Sequence, residues 1–179
     1  SITGSIYHTG SVAEFTSNVE IKGEVLAHPS TLSNNNIIVG SGAGGSLTGG
    51  TYNVIAGYEA GKYGSLPQNN VALGRYAGYA LGTGYNNVFV GYKAGYANGT
   101  TGISYTPLYN TAVGAFALND LLSGDNNTAF GYRAGQNITG GDNLVLGFYA
   151  GDSIVAGNAN IVIGSGSLGE VGMSNQLRI

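Results

Sequence analysis

The chain has 179 residues, a formal net charge of −3, 6 basic residues and no cysteine; charged residues are only 8% of it and glycine fills 33 positions. That balance excludes disulfide staples and thiolate metal sites, leaves no footprint for a nucleic-acid backbone, and is far from that of an ordinary enzyme. No apolar run reaches the roughly 20 residues of a membrane-spanning helix, and residues 1–10 lack the charged start and apolar centre of a signal peptide.

From residue 34 onward one pattern governs the chain. An asparagine, three mostly apolar residues and a glycine occur eight times, led by Asn36, Asn53, Asn70, Asn87, Asn110, Asn127, Asn143 and Asn160. The intervals are 17, 17, 17, 23, 17, 16 and 17 residues. Self-similarity of this kind means a stack of like units, so any function must be compatible with a rod. The apolar runs are short and rich in Val, Ile and Phe, which predicts strands and rules out a helical solenoid. At roughly 3.3 Å per residue, one unit has room for two short strands and two turns, one turn of a parallel β-solenoid or β-roll. About eight coils stacked at ~4.8 Å give a body on the order of 35–40 Å long.

Three residues past each repeat glycine stands Ala43, Ala60, Ala77, Ala94, Ala117, Ala134 or Ala150, with Ser167 in the last copy. Only a small residue fits there. The next place is glycine in six copies, and Leu118 and Leu168 in the other two, which predicts a corner with positive φ or close backbone approach. The asparagines are expected to stack into a ladder, each amide bridging from turn to turn. All three residues between Asn and Gly are mostly apolar where a strand with one wet face would alternate. The coil has no second layer to cover its outer face, so another copy is the expected cover, and side-by-side rods favour cyclic symmetry.

Asn127-Thr-Ala-Phe-Gly-Tyr-Arg-Ala-Gly135 and Asn87-Val-Phe-Val-Gly-Tyr-Lys-Ala-Gly95 carry a resemblance that extends over residues 34–168. The pattern resembles the Asn-Ser-Val-Ala-Ile-Gly repeats of YadA-type heads of trimeric autotransporter adhesins. It is closer to the Asn-Thr-Ala-x-Gly-Tyr-x-Ala-Gly repeats of bacteriophage tail fibres and related viral fibre proteins. The resemblance implies an all-β, left-handed, YadA-head-like β-roll assembled as a homotrimer, exposed on a virion and used for attachment. A longer coil and the Gly-Tyr-x-Ala-Gly extension depart from the bacterial pattern and favour the viral one. Residues 1–33, with Thr3-Gly-Ser, Thr9-Gly-Ser and the alternating Val19–Val25, resemble the β-repeat neck or shaft that precedes such heads; Asn18–Gly23 reads as a degenerate coil. Residues 169–179 end on an asparagine-led run from Asn175, the expected start of a further strand or connector in something longer.

Candidate sites follow from the same frame. The interval from Asn87 to Asn110 carries six extra residues, an insertion loop over about 98–109 whose Tyr105 and Tyr109 suit stacking on sugar rings. The place after the repeat glycine holds Tyr58, Tyr92, Tyr132 and Phe148, with Tyr76, Tyr79, Tyr96 and Tyr149 nearby, and so makes an aromatic stripe. Such a stripe serves either as a glycan platform or as an inter-chain core. Asn36–Gly45 imitates a dinucleotide-binding glycine loop, with Glu59 about 20 residues on, but the frame recurs without the extra glycines and no helix pattern follows it. Asp125 and Asp142 each sit between glycine and asparagine, which is turn chemistry, and Asp152 is weighed with them as a calcium or acid–base candidate. His8 and His28 have no companion at ligand or catalytic spacing. Three sequons, at Asn98, Asn126 and Asn137, follow from composition.

The repeat, read with the resemblance, implies a trimeric viral fibre, of a bacteriophage tail or capsid, that attaches to a host-surface saccharide or receptor and to other fibre or virion proteins. No enzyme activity, cofactor, metal, nucleic acid or membrane insertion is expected. The alternatives are a bacterial adhesin head on a cell surface and a structural spacer without a ligand site of its own. An ice-binding solenoid needs a row of threonines, and Thr111 and Thr128 alone do not make one.

Overall fold

A computed structural model describes residues 35–65, 67–97, 106–152, 154–166 and 172–179. The neck expected over 1–33 and residues 98–105 of the insertion, Tyr105 included, lie outside the described residues.

Nine short strands form one sheet in sequence order, each pairing in parallel with the next. They are β1 (Ile37–Val39), β2 (Val54–Ala56), β3 (Val71–Leu73), β4 (Val88–Val90), β5 (Thr111–Val113), β6 (Thr128–Phe130), β7 (Leu144–Leu146), β8 (Ile161–Ile163) and β9 (Leu177–Arg178). The register advances by one repeat per strand, so Ile55 lies beside Ile38 and Ala72 beside Ile55. The chain is a parallel β-solenoid, and the eight asparagines delimit seven of its turns rather than eight.

Each coil was expected to hold two strands, and it holds one of three residues. The chain turns too often for a second. Left-handed backbone recurs just before the asparagine (Tyr52, Asn69, Tyr109 and equivalents, φ 51–60°), at the repeat glycine (φ 123–136°) and two residues later (Glu59, Tyr76, Lys93, Phe116, Arg133, Tyr149, φ 52–60°). What remains of a second ladder is a set of single bridges, Thr51 to Gln68, Gln68 to Tyr85 and Tyr85 to Leu108. Elsewhere the coils are joined by turn-to-turn backbone hydrogen bonds such as Gly61 N–H to the Ala77 carbonyl at 3.0 Å.

The repeat glycine is dictated by contact as much as by conformation. A Cβ on Gly40 would lie 2.6 Å from the carbonyl oxygen of Gly57, and one on Gly74 the same distance from that of Gly91. No real Cβ tolerates that approach, so adjacent coils stack glycine on glycine. The alanines from Ala60 to Ala150 are fully buried at the next corner, as expected.

The middle residue of each strand points inward and forms the core: Ile38, Ile55, Ala72, Phe89, Ala112, Ala129, Val145 and Val162. Volumes compensate along this column. Phe89, the largest fully buried side chain, is flanked in register by Ala72 and Ala112. Leu81, Leu121, Ile138 and Ile154 complete the core. Leu118 takes φ +47° at a place where six other coils use glycine, and its side chain is fully buried.

The first and third residues of each strand face outward. In β1 to β8 they are Val, Ile, Leu, Ala and Phe, with Thr111 and Thr128 the polar exceptions and no charge at all. In the single chain this face is half-buried to exposed, reaching 43% at Val39 and 56% at Phe130. A contiguous apolar face of this kind is uncommon on a monomeric solenoid.

The run from Asn175 does lead into a further strand, β9, but with a shift of one from the expected frame. Gln176, not Asn175, sits on the ladder, with its backbone N–H on the Asn160 Oδ1 at 2.9 Å. Asn175 takes the left-handed place before it, at φ +59°.

Candidate functional site

The eight asparagines are buried and form the expected ladder. Asn70 shows the unit. Its backbone N–H and its Nδ2 both donate to the Asn53 Oδ1, at 3.0 and 3.1 Å. Its Nδ2 donates a second time, to the Gly84 carbonyl at 2.9 Å. Its own Oδ1 accepts the backbone N–H and the Nδ2–H of Asn87, at 2.9 and 2.8 Å. Both donors and both acceptor sites of the amide are used, so the group has nothing left for a ligand. The ladder is structural. Its longest amide step, 3.4 Å between Asn110 and Asn87, falls at the coil with six extra residues.

The aromatic stripe exists and is more continuous than the four predicted rings. Where the place after the repeat glycine is Arg75 or Ala115, the ring is supplied one residue later by Tyr76 or Phe116. Ring centroids then follow from coil to coil: Tyr58 to Tyr76 at 5.5 Å, Tyr76 to Tyr92 at 6.3 Å, Tyr92 to Phe116 at 5.0 Å, Phe116 to Tyr132 at 6.1 Å and Tyr132 to Phe148 at 5.4 Å. A second column, Tyr63, Tyr79 and Tyr96, runs beside it at 5.0 and 4.8 Å and joins it through Tyr76. Most of these contacts are edge-on, the arrangement that ring quadrupoles favour. The strip is open to water, with Tyr58 47% and Phe148 55% exposed.

Sequence reasoning missed the cations. Arg75 lies over Tyr58, Tyr76 and Tyr92 at 5.6, 4.9 and 5.8 Å. Lys93 lies over Tyr96 at 4.6 Å and Arg133 over Tyr149 at 5.2 Å, each with further rings beside it. Lys62 lies over Tyr63 at 5.5 Å and pairs with the Glu59 carboxylate at 2.8 Å. Four of the six basic residues are thus on one strip. They look scattered because Lys62, Arg75 and Lys93 occupy three different places of the 17-residue frame, with Arg133 at the place of Lys93, and only the winding of the coil brings them onto one strip.

The local chemistry favours the charged forms of Lys62 and Arg75 and the neutral forms of Tyr79 and Tyr96. The Glu59 hydrogen bond pushes the Lys62 ammonium above the usual lysine range, and the Tyr76 hydroxyl beside Arg75 raises the guanidinium. Burial, then hydrogen bonding and charge within the ring cluster, raises the Tyr79 phenol well above its ordinary value; burial does the same to Tyr96.

The other candidates are placed as follows. Tyr109 is 52% exposed and meets Tyr85 edge-on at 5.4 Å, so its ring partner lies outside the strip. Asp125 accepts the Leu108 N–H at 3.0 Å, Asp142 accepts from Asn126 at 3.1 Å, and Asp152 accepts from Asn137 at 3.0 Å. These contacts tie adjacent coils rather than closing local turns, and Asp125 and Asp142 share a polar surface hollow with Asn126 and Asn158. Among the described residues no three His, Cys, Asp or Glu side chains converge on a point that would hold a metal. His8 and His28 lie outside the described residues.

Among the described residues no helix is long and apolar enough to cross a membrane. Comparison of the chain with protein-family models, curated proteins and solved structures returns no match.

Proposed function

We propose that the chain is the repeat domain of a homotrimeric attachment fibre, carried on a virion such as a bacteriophage tail or capsid fibre, that holds its particle to a host-surface saccharide. The observation that carries this reading is the outer face of β1 to β8, apolar, uncharged and open in the single chain. A rod with one dry face along its length is suited to lie against copies of itself, and a closed ring of copies ends the association that an open stack would continue. Three copies present every surface feature three times, so weak contacts sum to firm attachment without chemistry. A bacterial surface adhesin head with the same geometry is the neighbouring reading, and a bare spacer is the one that the open aromatic strip disfavours.

Binding of the fluorescently labelled chain to a panel of bacterial cells tests the proposal. Saturable binding to some of these hosts, abolished when periodate has oxidised their surface sugars, is the expected result. Folded protein that binds none of them, or binds equally after periodate, contradicts it.

A further inference from the structure

We propose that the aromatic strip from Tyr58 to Phe148 is a track for an anionic polysaccharide, a chain of carboxylate-bearing sugars laid along the long axis of the solenoid. The proposal rests on the adhesion reading above and names the ligand class it needs.

Two surfaces of the rod compete for the inter-chain interface, and charge separates them. The outer sheet face carries none. The strip carries Lys62, Arg75, Lys93 and Arg133, of which Lys62 alone has a carboxylate partner among the described residues. Taking an unpaired guanidinium or ammonium into a dry interface costs several kcal/mol. The sheet face is therefore the one to bury, and the strip is left to solvent.

What remains in solvent is a defined chemistry. Arg75 is exposed and spends one hydrogen bond, at 3.5 Å, on the Tyr76 hydroxyl, so most of its donors are free for a carboxylate. The Arg133 Nε is shut off from water without a hydrogen-bond partner, its guanidinium held among Phe116, Tyr132 and Tyr149. Rings that hold these cations also offer flat faces to the apolar side of a sugar and phenol hydroxyls to its polar rim. Lys62, Arg75 and Lys93 lie on three successive coils, at a rise of about 4.8 Å per coil. A row of that kind suits a linear polyanion better than a single small anion. Single-stranded nucleic acid also stacks on aromatic platforms, but four cations on a chain of net charge −3 are a weak electrostatic funnel for it.

Surface plasmon resonance of the full chain against polygalacturonate, neutral dextran and an oligothymidylate tests the assignment. Polygalacturonate is expected to bind most tightly, with affinity falling as salt is raised. The Arg75→Gln/Lys93→Gln variant should bind it at least about tenfold more weakly, with circular dichroism and solution mass unchanged. Tyr58→Ala, which removes a ring and no charge, should weaken polygalacturonate and dextran alike. Equal affinity for dextran and polygalacturonate, wild-type binding by the double variant, or oligothymidylate bound as tightly as polygalacturonate would each overturn the proposal. Should the double variant still hold to cells in a periodate-sensitive way, the strip is not the site while the adhesion reading stands; wild-type protein that ignores cells sinks the adhesion reading itself.

Discussion

Asn70→Asp is expected to destabilise the solenoid by about 3–5 kcal/mol at neutral pH, the cost of a buried charge without a partner, although the two side chains have nearly the same shape. Asn70 is fully buried, and its Nδ2 faces the Asn53 Oδ1 and the Gly84 carbonyl. A carboxylate would set an acceptor against those two acceptors. Asn70→Ala is milder, roughly 3 kcal/mol, because it orphans the Gly84 carbonyl and the Asn87 N–H without adding charge. The aspartate would hold its proton in the fold more tightly than in the unfolded chain, where its pKa is about 3.9. Folded protein then carries more protons than unfolded, so stability falls as pH rises above that value and partly returns on acidification. The return is partial because a neutral carboxyl donates once and the amide donates twice. Asn69→Asp, one residue away but exposed at φ +54°, should stay within about 0.5 kcal/mol of wild type. Denaturant titration of these variants over pH checks the set; a similar cost at 69 and 70 would show that the ladder does not hold the coils.

Gly91→Ala is expected to cost roughly 3–5 kcal/mol, from backbone strain at a conformation almost reserved for glycine together with a clash. Gly91 has φ +133°, and a Cβ there would meet the Gly114 carbonyl oxygen at 2.6 Å and its carbon at 2.7 Å. Both are backbone atoms of the next coil, so only a separation of coils relieves the contact. Stability in a stacked repeat is a sum over neighbouring interfaces, and losing one weakens the rod locally. Amide exchange should therefore accelerate first in β4 and β5. Gly166→Ala is the milder contrast, since φ is +62° there, the left-handed place that Glu59, Tyr76 and Lys93 fill in other coils, and a Cβ meets none of the described residues within 4 Å. About 1–2 kcal/mol is expected from that variant. Equal losses at 91 and 166 would mean that coil spacing is not set by the glycine column.

The repeat made the strands, the asparagine ladder and the small-residue corner legible, because each needs one residue type at one place in every copy. Features that tolerate many residue types were not. Glu59, Tyr76, Lys93, Phe116, Arg133 and Tyr149 share one left-handed backbone place, and their side chains have nothing in common to reveal it. Those frequent turns are why a coil with length enough for two strands holds one. The frame of the last strand misled for a related reason. Asn35, Asn69, Asn86 and Asn126 occupy the left-handed place just before the ladder, so an asparagine at 175 fits either position, and only the pairing of Leu177 with Ile161 decides. Half of the candidate site was visible as tyrosines in register. The other half, the cations between the rings, was hidden because Lys62, Arg75 and Lys93 come from three different places in the coil and meet only when it is wound.

The proposed burial of the uncharged outer face of β1 to β8 between copies is tested most directly by the solution mass. Light scattering of the chain, 18.1 kDa as a monomer, should give three times that mass. Leu73→Asp/Val90→Asp, which sets two charges on adjacent rungs of the face, should give a β-rich monomer by circular dichroism. A wild-type chain that is folded and monomeric at all concentrations would contradict the account.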